Sequence, residues 1–289
     1  MQESRKHHIV PKLLLRPWLI RSARGQDVLM GFWWNKRDGN LACKLRGLDS
    51  FCWQLDLLSL KAHHRGRDAI EKLFFGEIDT KGAAARDMLL GHEPEKLSGE
   101  QRCDFARLLL SLEARRPIIV ERLRTEGSTH LRNELDADTE IRTAFVEHGI
   151  SDTPASYVEN QLGSSLEDHA LSVIQKLVDN PKVGGRLINA QWQVKLLGPD
   201  DGSLILSDRP LIRVHGYDRP GATWVLPLTP RAAFIACNDP SNMRKLTDLS
   251  GQRFVKAVNT SSAAQAERFV FCTDRSHEHW LKKHLMPKG

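Results

Sequence analysis

Apolar positions along the chain change their period twice. Residues 28–34 and 41–45 are apolar runs separated by Lys36-Arg37-Asp38-Gly39-Asn40. An Asp-Gly pair between two such runs predicts a β-hairpin. Ahead of it, Leu13, Leu14 and Trp18 follow Pro11 as the apolar face of a short helix that breaks near Pro17. From about residue 67 the period becomes helical, with Ile70, Leu73, Phe74 and Ile78 on one stripe. Ser98-x-x-Gln101 is a capping box ahead of Phe105, Leu108, Leu109 and Leu112. Pro117 restarts a helix, and Thr153-Pro154 and Ser165-x-x-Asp168 mark two further helix starts. After about residue 190 the runs shorten again. Residues 192–197, 204–206, 224–228, 233–236 and 254–258 read as strands between Gly, Pro, Asp and Asn, and a charged helix over about 277–285 closes the chain.

Helices first and strands later predict an α+β fold rather than a doubly wound sheet. We expect a central helical bundle packed on a mixed or antiparallel sheet built from the N-terminal hairpin and the C-terminal strands. The organisation read from the pattern is a single domain over 1–289, with an N-terminal segment and hairpin (1–66), a helical part (67–190) and a strand-rich part (191–289). There is no internal repeat and no low-complexity run.

Composition supports a packed protein. Of 289 residues, 40% are hydrophobic and 27% charged, which argues against a disordered chain. No window approaches the roughly 18 apolar residues of a membrane span, and the polar start lacks the apolar segment of a secretory signal. The five cysteines, Cys43, Cys52, Cys103, Cys237 and Cys272, are odd in number and include no C-x-x-C. They read as small buried residues in a reducing compartment, so the cytoplasm is the expected location and no membrane partner is expected.

The net charge of +6 is uneven. Residues 1–67 carry 13 Lys+Arg against 5 Asp+Glu, and the remainder carries 29 against 31. A basic end of this kind attracts nucleic acid, another phosphate-bearing ligand or an acidic partner, or is simply a solvated basic face.

Among residues that carry chemistry, His7-His8-Ile9-Val10-Pro11 offers two adjacent imidazoles, groups able to bind a metal or move protons. His-His-Ile-x-Pro is similar to the core of HNH-type nucleases, but no matching Asn and metal-binding His follow on a ββα unit. Ser207-Asp208-Arg209-Pro210 sets a carboxylate in a proline-stiffened turn directly after an apolar strand, either as a site or as an Asx-turn. Glu71 and Glu77 are six residues apart on one helix, so they point apart. Arg115-Arg116-Pro117 places cations at a helix break, where they would bind an anion or cap carbonyls. Arg124-x5-His130 has the spacing of HEPN ribonucleases, yet Gly127 and Ser128 are expected to interrupt its helix. His63-His64 and His277-x-His279 lack partners at metal-ligand spacing, and no phosphate loop or G-x-S-x-G occurs.

Taken in order, several segments resemble a widespread microbial family of unknown function, domain-of-unknown-function family 4238. They are His8-Ile9-Val10-Pro11-Lys12-x-x-Leu15, Ile70-Glu71…Glu77-Ile78, Leu109…Arg116-Pro117, Ser207-Asp208-Arg209-Pro210, Leu226-Pro227-Leu228-Thr229-Pro230, and Val258-Asn259 followed by Ala266…Arg268-Phe269-Val270-Phe271. The resemblance covers roughly residues 8–272. The chain departs from it in Glu113, where the family often has Gln, and in Trp18, an aromatic at a shifted position. It implies no established activity, but it groups the polar positions His8, Arg116, Asp208, Asn259 and Arg268 as one candidate cluster.

Three readings follow. In the first, a hydrolase acts on phosphodiesters as a nuclease-like toxin or defence effector. His8 is its general base or metal ligand, and Asp208, with Glu71 or Glu77, binds a divalent metal or orients the histidine. Arg116 and Arg268 hold phosphate in this reading, with Asn259 and Glu71 beside the substrate. The second is a non-catalytic nucleic-acid or protein binding module with a basic N-terminal face, where Trp33, Trp34 and Trp53 stack on bases if exposed, although a core position is the commoner one for such residues. In the third, the polar cluster is a buried hydrogen-bond network.

Overall fold

The computed structural model describes residues 5–61, 66–91, 94–217 and 219–286. The fold is α+β, and the chain divides into two compact units that it enters more than once. One comprises Met1–His7, Gln54–Glu77 and Glu113–Asn180; the other comprises His8–Trp53, Ile78–Leu112 and Pro181–Gly289. The three stretches of the sequence are thus redistributed. The early hairpin shares a unit with the late strands, and residues 78–112 of the helical stretch go with them.

The strands, in chain order, are β1 (Lys6–His8), β2 (Leu19–Arg21), β3 (Asp27–Asn35), β4 (Asn40–Arg46), β5 (Trp53–Leu55), β6 (Gln191–Leu196), β7 (Leu206–Ser207), β8 (Ile212–Val214), β9 (Thr223–Thr229), β10 (Ala232–Cys237) and β11 (Val270–Cys272). β1 and β5 form a two-stranded ladder, while the other strands form an antiparallel sheet β6-β10-β9-β8 and a five-stranded sheet β2-β3-β11-β7 in which β4 pairs with β3. The expected hairpin therefore does join late strands in one sheet. Its turn works as the Asp-Gly signal requires: Gly39 has φ +59°, a left-handed conformation that costs glycine little, and Asn35 Nδ2 donates to Asp38 across the turn.

Two hydrophobic clusters among the described residues of the larger unit position its strands. One lies between the four-stranded sheet and the helices Pro240–Thr247 and Gly251–Gln265, and includes Leu204, Val225, Ile235, Met243, Phe254 and Val258. The other joins Met30, Phe32, Ile205, Val270 and Cys272 to Ala263 and to Leu281 of the helix Glu278–Leu285. Residues 254–258, expected as a strand, belong to Gly251–Gln265. Phe254, Val255, Val258, Asn259, Ser262 and Ala263 are its buried positions, a 3.6-residue period that the five-residue apolar window was too short to reveal.

In the smaller unit, Thr153 and Ser165 cap Pro154–Asn160 and Leu166–Val178 as expected, each accepting from a backbone amide in the first turn. Gly127 does not interrupt its helix. Leu123–Gly127 is a π-helical turn that runs into Ser128–Ala137, and a Cβ on Gly127 would lie 3.2 Å from the Ala170 Cβ. The glycine serves close helix approach rather than termination. The cysteines are all free, with Cys52, Cys237 and Cys272 buried, Cys43 half-buried and Cys103 exposed, so not all five are core residues. Among the described residues no helix is long and apolar enough to cross a membrane.

Candidate functional site

Alternation along β3 and β4 creates a chemically distinctive face. Cross-strand partners share a face of a sheet, and the pairs Trp33↔Ala42, Gly31↔Lys44 and Leu29↔Arg46 put Trp33, Lys44 and Arg46 together. β11 adds Phe271 opposite Gly31. A Cβ on Gly31 would lie 2.8 Å from the Phe51 ring, so only glycine lets Phe51 lie over the sheet here. Phe51 meets Phe269 and Phe271 edge-on, each with ring centroids 5.2 Å apart, and Trp33 meets Phe269 edge-on at 6.0 Å.

Two adjoining cavities lie here, one on this face and one at the end of β3. A cavity of about 210 Å³ is lined by Trp33, Lys44, Arg46, Phe51, Arg268 and Phe269. A larger one of about 500 Å³ lies where β3 ends, between Trp33, Trp34, Lys36 and the segment Ala266-Glu267-Arg268, with Leu285 at its edge. Trp33 and Arg268 belong to both. Lys44 Nζ sits 5.9 Å from the Trp33 ring centroid, and the Arg268 guanidinium sits 4.7 Å from that of Phe269. The acidic Glu267 has Arg209 at 3.8 Å, so the rim stays net positive. Trp33 and Trp34 are only half-buried. The core position expected of them belongs instead to Trp18, Trp192 and Trp224.

Asp208 holds one wall of this cleft. Its carboxylate accepts from the backbone amides of Glu267 (2.9 Å), Arg268 (2.7 Å) and Phe269 (2.9 Å), while its own amide donates to the Phe269 carbonyl (3.0 Å). Among the described residues these are the hydrogen bonds of the Asp208 carboxylate, and the expected pairing with His8 is not one of them. A carboxylate in the middle of a sheet-end turn satisfies the three amides because β7 and β11 are neighbours, so that it faces the residues entering β11. Asp208 thus positions Arg268 through the backbone. Burial pushes its carboxyl above the usual range, and the three amide bonds partly oppose that rise.

That shift has a sign. A carboxyl raised on folding contributes stability that is fully present below its unfolded value, near 3.8, and is lost as pH rises through the raised value. The stability of the wild type minus that of Asp208→Asn is therefore expected to shrink as pH climbs through this window, read from denaturant midpoints of both proteins. A difference that grows with pH would contradict the burial argument.

The remaining expected site residues fall elsewhere. Asn259 is buried and structural, accepting from the Ile205 amide (3.0 Å) and donating to the Ser203 carbonyl (2.9 Å). His8 is half-buried, whereas its neighbour His7 is fully buried with Nδ1 accepting from the Leu58 amide at 2.7 Å. Arg116 and Glu71 belong to the smaller unit, with Arg116 3.3 Å from Glu113 and one Glu71 oxygen shielded from solvent. Arg115, next to Arg116 in the chain, is fully buried, 4.3 Å from the Phe75 ring centroid. Arg124 donates to the carbonyls of Leu57 and Ser59, and His130 is exposed. His63 and His64 lie outside the described residues, and His277 sits beside Ser203 at 3.2 Å. Among the described residues, no three His, Cys, Asp or Glu side chains gather so as to hold a metal ion.

The cleft residues Lys36, Lys44 and Arg46 were not singled out in the sequence, although the i, i+2 spacing of Lys44 and Arg46 beside an apolar strand was a visible signal.

Fold and site together define an α+β protein with a basic, aromatic cleft at the end of an antiparallel sheet. The chain belongs to the family described as protein of unknown function (DUF4238), which it matches over residues 6–276. No curated protein and no solved structure matches it.

Proposed function

We propose that this protein binds nucleic acid through the cleft around Trp33 and Arg268. The observation that carries this reading is the meeting of Trp33 and Phe269 with Lys44, Arg46 and Arg268 in two adjoining cavities. Cations neutralise phosphates, and aromatic surfaces stack on bases; a site with both fits a ligand with both. The charge excess of the first 67 residues adds a long-range field of the right sign.

The hydrolytic reading, with His8 as base or metal ligand, Asp208 beside a divalent metal and Arg116 on phosphate, is less well supported. It needs the Asp208 carboxylate for chemistry, and that carboxylate is engaged by three backbone amides. This favours Asp208 as a positioning residue and the protein as a binding module.

Fluorescence anisotropy with a labelled mixed-sequence nucleic acid, titrated at several salt concentrations, tests the proposal. The variant Lys44→Gln/Arg46→Gln/Arg268→Gln is expected to bind more weakly. Its slope of log affinity against log salt should flatten by about 0.7–0.9 for each phosphate no longer neutralised. Equal affinity and equal slope in wild type and variant would overturn it. Incubating the same nucleic acid with and without Mg²⁺ reads hydrolysis directly, and cleavage that disappears in His8→Ala would restore the enzymatic reading.

A further inference from the structure

We infer that the cleft takes a single strand, with one base stacked on Trp33, and not a duplex; this rests on the nucleic-acid reading above. Three observations carry it. The first is shape. The cationic and aromatic groups line concavities of about 500 and 210 Å³. The larger falls within the roughly 300–1,000 Å³ of sites that enclose a small molecule, which suits a nucleotide. A duplex is read by a projecting helix or strand ribbon entering a groove, and this face offers a hollow instead.

The second is chemistry. In a duplex, base faces are stacked inside and only phosphates and base edges are exposed, so an aromatic ring in a hollow has no base face to meet. A single strand offers its faces, and base–aromatic stacking is indifferent to sequence because every base has one. Trp33 is the aromatic common to both cavities, and its neighbour in the chain, Trp34, lines the larger one. Successive residues of a strand point to opposite faces, so the two indoles approach the cavity at the end of β3 from opposite faces of the strand.

The third is the layout of charge. Lys36 lies at the larger cavity, Lys44 and Arg46 at the smaller, and Arg268 at both. All four are exposed, so they offer a run of cations from one cavity to the other along which a flexible phosphate backbone can pass Trp33. A rigid duplex cannot follow this run into the hollows.

The test uses the full chain, a short fluorescein-labelled mixed-sequence single strand (DNA in one arm, RNA in the other), and unlabelled single strand or the corresponding duplex as competitor. Single strand is expected to compete at much lower concentration than duplex. Trp33→Leu keeps apolar packing but removes the stacking surface, and should weaken single-strand binding by about 5- to 150-fold. Trp33→Phe, which retains a ring, should recover much of that loss. Circular dichroism and thermal melting of both variants monitor folding; if Trp33→Leu melts early, quenching of tryptophan emission by single strand in the wild type, lost in Trp33→Phe, gives the same information. Equal competition by duplex, or full affinity in Trp33→Leu alongside weakened binding in the cation variant, overturns the single-strand inference while leaving nucleic-acid binding standing. Binding of neither nucleic acid overturns both.

Discussion

Replacing Asp208 by alanine is expected to lower the unfolding free energy by about 3–5 kcal/mol, one of the two largest effects we anticipate from a single substitution. Alanine removes the acceptor of three backbone amides at once, those of Glu267, Arg268 and Phe269. Hydrogen bonds to an ionised group contribute about 1.5–3 kcal/mol each, and donors left dry cost more than bonds never made. The three do not add fully, because water reaches the exposed segment once it loosens. Asp208→Asn should cost less. Its side-chain oxygen keeps the acceptor side toward Arg268 and Phe269, and only the Glu267 amide then faces an NH₂ group. Chemical denaturation ranks the three proteins, and an alanine variant as stable as the asparagine one would show that the amides find other partners. Binding should fall alongside stability in the alanine variant, since Arg268 loses its fixed position even in molecules that remain folded.

That expectation revises what a polar signature means. His8, Arg116, Asp208, Asn259 and Arg268 looked like one candidate cluster because they are chemically capable and match polar positions of the family. Two of them, Asp208 and Asn259, spend their side chains on backbone groups, and Arg268 is displayed by one of those two. Asn259 fixes Ser203 and Ile205 on one side of the strand end, and Asp208 fixes residues 267–269 on the other. A buried polar group that satisfies backbone donors specifies a unique local geometry, which gives it as good a reason to be polar as catalysis does.

What the sequence made legible was local. The hairpin at Asp38-Gly39, the capping box at Ser98 and Gln101, and the helix starts at Thr153 and Ser165 depend on residues within four positions of one another, and all are found. The α+β class followed from the order of periods. The strand expected at 254–258 failed because five residues sample barely more than one helical turn, and the nine buried or half-buried positions that would have decided it extend to residue 265. The cleft could not be read because its two halves are far apart in the chain. Trp33, Lys44 and Arg46 come from the hairpin, Arg268 and Phe269 from the entry to β11, and only the pairing of β3 with β11 unites them. Nor does a turn such as Ser207-Asp208-Arg209-Pro210 reveal whose amides its carboxylate will face. Asp208 finds its donors some sixty residues away, beyond the reach of any local turn rule.

The strand end that carries Asp208 has a third anchor, and its loss should be as costly. Trp18 is fully buried, and its indole Nε1 donates to the Leu204 carbonyl at 3.1 Å. The residues around that carbonyl are those that Asn259 grips: Ser203 through its oxygen and Ile205 through its amide. Three consecutive residues are thereby tied to side chains from the start of the chain and from the helix Gly251–Gln265, immediately before β7 and Asp208. Trp18→Ala is expected to cost about 3–5 kcal/mol, the range for emptying an aromatic site in a core. Trp18→Phe fills most of the space and should cost less, with the remainder reflecting a dry Leu204 carbonyl. The same two variants, with Asn259→Ala, form a double-mutant cycle on one segment. A shared strain-free anchor predicts that losses at Trp18 and Asn259 couple by about 0.5–3 kcal/mol. Simple additivity in denaturation would mean that Trp18 matters only as filling, and that Asn259 and Asp208 hold the cleft wall without it.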